Sequence, residues 1–148
     1  MAFQMRVIRG LYFSPGDLRP TVLDVPQILQ STGTYDTHFR DVLDDDNPTI
    51  PIHIATVLVL GTTDTFTVAY RYNQAYQVNL SIATLDPVLF WYGDIIVVKR
   101  GQNRDIGIRP GREAQICIEL IKRFVSYALT AGIGNGVQLE SLIYLQLE

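Results

Sequence analysis

Residues 92–131 narrow the choice of fold more than any other stretch of this chain. They read in turn as a buried strand, a tight turn, a short strand and one long amphipathic helix. Ile95, Ile96, Val97 and Val98 form a continuous β-branched run between Gly93 and Gly101, the pattern of a strand in the interior of a sheet. Arg100, Gly101, Gln102, Asn103 and Arg104 carry turn chemistry, and Ile106 and Ile108 then alternate with Gly107 and Arg109. A hairpin is the economical expectation. After Pro110 and Gly111, the residues Ile116, Cys117, Leu120, Ile121, Phe124, Tyr127, Ala128 and Ala131 recur at intervals of three and four. Opposite them stand Arg112, Glu113, Glu119, Lys122, Arg123 and Ser126, so one stripe is apolar and the other wet. Gly132 follows the last apolar position, where a helix C-terminus favours glycine. The helix must bury its stripe, and a sheet made by the preceding strands is the partner the chain offers.

Those strands are legible in most places. The alternation from Phe3 to Val7, continued by Ile8, Leu11 and Phe13, predicts a first strand with a bulge near Gly10. Residues 14–20 are loop-like, and Asp24 with Pro26 is read as the start of a short helix carrying Ile28 and Leu29 and ending by Gly33. Residues 34–51 are expected to be an acidic, mobile loop, with Phe39, Val42 and Leu43 allowing one helical turn. Ile50, Ile52, Ile54, Val57, Leu58, Val59 and Leu60 then read as an apolar strand. Thr65, Thr67, Ala69 and Arg71 alternating with Phe66, Val68, Tyr70 and Tyr72 form its hairpin partner. Tyr76, Val78, Leu80 and Ile82 alternate with Gln77, Asn79, Ser81 and Ala83, which predicts a third strand and hence a meander. Past the glycines of 132–136, Val137, Leu139, Ile143, Leu145 and Leu147 share odd parity, so residues 132–148 read as a glycine-hinged terminal strand. The fold class expected is α+β: a mostly antiparallel sheet or partly closed barrel of about six strands, with the long helix packed on it.

At 148 residues, 47% of them hydrophobic, the chain suits one domain with a substantial core. No window approaches the roughly 20 apolar residues of a membrane span, and no secretory leader is evident, so a cytoplasmic or nuclear protein is expected. The single Cys117 falls on the apolar helix face and reads as a core residue. Asn79, Leu80 and Ser81 spell a glycosylation acceptor, which a buried strand context makes coincidental. The net charge of −3 is unevenly spread. Residues 99–123 hold seven basic against three acidic side chains, and residues 1–98 five against ten, so two copies could complement one another.

No catalytic, cofactor or metal motif stands out, and no cofactor is expected. Asp36, His38, Asp41 and His53, with Asp44, Asp45 and Asp46, could gather around a divalent cation in a metal-dependent hydrolase, but their spacing matches no calcium or zinc template. His53, between Ile52 and Ile54, is expected at the surface or in a polar contact. Nothing local assembles a nucleophilic triad. The glycines of 132–136 follow a helix and precede no lysine, so helix termination explains them better than phosphate binding. Lys99, Arg100, Arg104, Arg109 and Arg112, with Tyr70 and Tyr72, could bind nucleic acid through charge and base stacking. The preferred expectation is a non-enzymatic, self-associating interaction module, a homodimer formed through Phe90, Trp91, Tyr92, Leu139, Ile143 and Leu145, since the terminal strand could pair with a neighbour's sheet.

Overall fold

The computed structural model describes residues 5–43, 50–59, 61–102, 104–131 and 140–144. Its elements in chain order are β1 (Met5–Phe13), β2 (Thr21–Leu29), β3 (Tyr35–Thr37), α1 (Phe39–Leu43), β4 (Ile52–Val59), β5 (Thr62–Tyr70), α2 (Leu80–Leu85), β6 (Ile95–Gly101), β7 (Arg104–Ile106), α3 (Arg112–Ala131) and β8 (Glu140–Tyr144). The strands form one curled sheet, a half-barrel, in the order β3-β2-β1-β6-β5-β4-β8, with β7 paired to β6 beside β1. Every pairing is antiparallel except that of β8 with β4. With α3 packed on it, the fold is α+β as expected; relative to the reading from sequence the sheet gains β2 and β3, and no strand forms at residues 76–83.

The continuous run in β6 explains the architecture. Ile95 and Val97 join the core under α3, whereas Ile96 and Val98 join a second core with Ile8, Val25, Phe39 and Leu43. A strand buried on both faces needs no alternation. The α3 side holds Phe13, Phe66, Tyr70, Trp91, Leu120, Ile121 and Phe124, and Cys117 is buried there as expected. Val25 packs on the opposite side, which α1 helps close. The helical stripe needs one amendment. Val125 is fully buried, while Tyr127 is 51% exposed, since the last turn of α3 runs past the part that the sheet covers.

Three local expectations are corrected. Residues 24–29 are strand, not helix: β2 pairs with β1 from Met5↔Ile28 to Tyr12↔Thr21, and pairing over that length outweighs an isolated helix of at most two turns. Near Gly10 the register runs without a bulge. The glycine fits a tight place instead, since a Cβ there would lie 3.0 Å from Ile96 Cδ1 and 3.2 Å from Val25 Cγ2 and those side chains would have to give way. The third strand of the expected meander is also absent. Only Val78 bridges to Tyr92, and Leu80–Leu85 is α2. Asn79 decides this. Its side-chain oxygen accepts from the Ile82 N–H at 3.1 Å, and its Nδ2 donates to the Phe13 and Gly93 carbonyls, each at 2.8 Å. An N-cap tied to two other segments starts a helix whatever the alternation around it. Asn79 is fully buried, so the acceptor sequence there is coincidental.

The segment expected as a loop at 34–51 contains β3 and α1, and β3 extends the sheet past β2. The helical turn expected from Phe39 and Leu43 is present, with both side chains buried. The glycine hinge at 132–136 lies outside the described residues, but the terminal strand is present as β8, seated on β4 of its own chain from Ile54↔Glu140 to Leu58↔Tyr144. Among the described residues, no helix is long and apolar enough to cross a membrane.

Candidate functional site

Strands β3, β4, β6 and β7, with α1, surround a cleft of about 610 Å³ on the face away from α3. That volume lies within the range of ligand pockets, about 300–1,000 Å³. Strand parity determines what lines it. Along β6, Ile96, Val98 and Arg100 share the side away from α3, and on β5 Thr67 stands opposite Val98 in the pairing register. Thus Arg100 reaches the cleft, with Arg104 and Asp105 from β7, Tyr35, Asp36 and Thr37 from β3, Arg40 from α1, and Ile52 from β4.

The floor is a hydrogen-bonded network centred on Asp105. Thr67 Oγ1 donates to Asp105 Oδ1 at 2.6 Å, and Thr37 Oγ1 donates to Oδ2 at 2.8 Å. Gln27, fully buried, donates through Nε2 to Thr37 Oγ1 at 3.0 Å and to the Asp105 carbonyl at 3.1 Å. Its Oε1 in turn accepts from Arg6 Nε at 2.7 Å, and the Arg6 guanidinium lies 3.7 Å from the centre of the Tyr35 ring. The chain from Arg6 to Asp105 therefore ties β1, β2, β3, β5 and β7 together. No buried side-chain nitrogen or oxygen among the described residues lacks a partner, as a network in a low-dielectric interior requires. A second polar cluster lies at the far end of β6. There Asp94, 2% exposed, accepts from Arg71 Nε at 2.8 Å and from the Tyr12 hydroxyl at 2.7 Å. Burial and the Asp94 charge both push the Tyr12 hydroxyl pKa up, so it remains a donor.

The residues proposed from sequence fall into separate places. Of the cationic set, Arg100 and Arg104 line the cleft. Lys99 points to the α3 side, bonded to Glu113 at 2.6 Å and near Asp64 at 3.5 Å. The hydrogen bond to Glu113 raises the Lys99 pKa against its own desolvation. Arg109 and Arg112 are exposed on the approach to α3. Tyr70 is buried, and Tyr72 is half-buried with its ring 4.8 Å from that of Trp91, so neither ring is an open stacking platform. The seven do not form one face.

The metal set is also divided. His38 lies 3.6 Å from Asp36 and 4.0 Å from Asp41, but His53, expected at the surface or in a polar contact, is not at the surface: it is 4% exposed on the α3 side with its ring 5.1 Å from that of Phe124. Its neighbours Ile52 and Ile54 occupy the other face because side chains alternate along β4. Asp44, Asp45 and Asp46 lie outside the described residues. Among those described, no group of three or more His, Cys, Asp or Glu side chains is placed to hold a metal ion. Of the interface set, Phe90 is 56% exposed, Tyr92 is half-buried, and Trp91 is fully buried. Trp91 is therefore a core residue, its Nε1 donating to the Arg71 carbonyl at 3.2 Å. Ile143 belongs to β8, opposite Val57, and Leu139 and Leu145 lie outside the described residues.

Gln27, Thr37, Thr67, Asp105, Arg40 and Tyr35 were not singled out by the sequence. One signal was available: Thr65 and Thr67 share the parity of Ala69, so one face of an otherwise apolar strand is polar. In comparisons with known proteins, the chain matches no family model, no curated protein and no solved structure.

Proposed function

We propose that this protein is a non-enzymatic binding module whose concave cleft takes a small organic ligand. One observation carries the reading: a cleft of about 610 Å³ whose polar floor is fixed by a complete hydrogen-bond network while apolar Ile50 and Ile52 form part of its wall. Groups held on strands by packing and by their own partners present an unchanging surface, which reduces the ordering cost of binding. Amide chemical shifts recorded against a small-molecule fragment set test it. Hits should perturb Tyr35, Thr37, Ile52, Arg104 and Asp105 together; hits that cluster elsewhere, or none at all, would refute it.

A second reading is self-association as a homodimer. Its support is the exposure of Leu18 at 65%, Val88 at 73% and Phe90 at 56%, apolar surface that ordinarily marks a contact when it is contiguous. Strand exchange contributes little to this reading, because β8 occupies the β4 edge of its own chain. Light scattering on the full chain is expected to give a dimer mass that Phe90→Ser with Val88→Ser returns to a monomer. A monomeric parent at high concentration would end this reading.

A further inference from the structure

The cleft's charges are unequally engaged, and on the reading of the cleft as a ligand site that imbalance gives the ligand a chemical class. Both oxygens of Asp105 already accept hydroxyl hydrogen bonds, at 2.6 Å from Thr67 and 2.8 Å from Thr37. Asp36 stands beside His38 at 3.6 Å. The arginines are differently placed. Arg100 Nη1 is 3.7 Å from Asp105 Oδ1, too long for a hydrogen bond, so its guanidinium is steered by the carboxylate without losing its donors. Arg40 and Arg104 make no ion pair with any described residue. Facing these cations, Ile50 and Ile52 supply an apolar wall. We propose that the cleft binds a small amphiphilic oxyanion, with a carboxylate or phosphate on Arg100 and Arg104 and an apolar body against Ile50 and Ile52. Arginine suits this task because its planar fork donates two parallel hydrogen bonds to an oxyanion. A long nucleic acid suits it less, since Lys99, Arg109 and Arg112 lie outside the cleft.

The test titrates the full chain, followed by amide chemical shifts, with decanoate, decyl phosphate, decanol and decyltrimethylammonium, each below its aggregation concentration. Decanoate or decyl phosphate should perturb Tyr35, Ile52, Arg104 and Asp105 and bind at least about tenfold more tightly than decanol, the scale of one charge-assisted hydrogen bond. The ratio of the two anions tells which head group the site takes. Arg100→Gln and Arg104→Gln should each weaken the anion by about the same factor and leave decanol unchanged, with thermal melting used to show that both variants fold. Decanol or the ammonium compound binding the cleft as tightly as the anions would overturn the oxyanion class and leave the ligand cleft standing. Silence from all four probes would overturn both. Unchanged anion affinity in a folded Arg100→Gln, Arg104→Gln double variant would overturn the assignment to these arginines.

Discussion

The two faces of β5 and β6 are made by the same strands in the same register, yet they are unlike. Toward α3 stand Phe66, Val68, Tyr70, Ile95 and Val97, closed by Trp91, Leu120, Ile121 and Phe124. On the side away from α3, Ala69, Ile96 and Val98 continue into Thr67, Arg100 and the Asp105 network. The first face is held by dispersion and the removal of apolar surface from water, which are non-directional and tolerate many sequences. The second adds to a smaller apolar core, Ile8, Val25, Phe39, Leu43, Ile96 and Val98, a set of hydrogen bonds whose partners come from residues 6, 27, 37, 67 and 105. The two faces divide the labour: the α3 face supplies the larger core, and the other joins a smaller core to a fixed polar surface.

The largest effect that would test this division is on the α3 side. Trp91→Ala removes a fully buried ring that meets Tyr70, Tyr72 and Phe124 and is expected to cost ~3–5 kcal/mol in urea denaturation, or to prevent folding. A loss under about 1 kcal/mol would mean that the α3 core is not what holds the domain. Next comes Asp105→Ala, which strands the hydroxyls of Thr37 and Thr67 and should cost ~1–3 kcal/mol, with Asp105→Asn costing less because one acceptor oxygen survives. If Asp105→Ala instead matched Trp91→Ala, the polar network would hold the domain as firmly as the α3 core and the contrast would fail.

How much of this was legible follows from the same contrast. Ile95, Ile96, Val97 and Val98, the α3 stripe and the β4–β5 hairpin are local periodicities, and burial enforces them wherever they occur. The cleft is different, because no two of Gln27, Thr37, Thr67 and Asp105 are closer than ten residues in sequence. They meet only once the sheet has curled, and no local pattern encodes that. Arg100 and Arg104 were marked by composition, but whether they belong with Lys99 or opposite it depends on parity along β6 and on the placement of β7. Asn79 shows the converse failure, a clear period-2 pattern overruled by one side chain capping α2.

A smaller effect belongs to His53, the one histidine on the α3 face, whose pKa is lowered by burial against Phe124. The folded state then binds its proton less readily than the unfolded chain, whose histidine titrates near about 6.5. Stability is fullest above that pH and declines as the solution is acidified through it, until the folded-state pKa is also passed. Urea midpoints of the parent and His53→Gln, measured between about pH 5 and 8, should show the steeper acid loss in the parent. Equal slopes would mean that the imidazole is as well solvated as in the unfolded chain.

The smallest effect is expected where neither face is involved. Glu119 and Lys122 form an i,i+3 pair at 3.4 Å on the outer surface of α3, each about a third exposed. Water screens the charges, and ordering two long side chains offsets most of the attraction. Glu119→Ala should therefore shift stability by only ~0.2–0.5 kcal/mol, and raising the salt concentration should shrink the difference further. This measurement fixes the scale for the others. A loss comparable to that of Asp105→Ala would place this α3 surface against something, and the helix would then have two buried faces where the chain's own sheet covers only one.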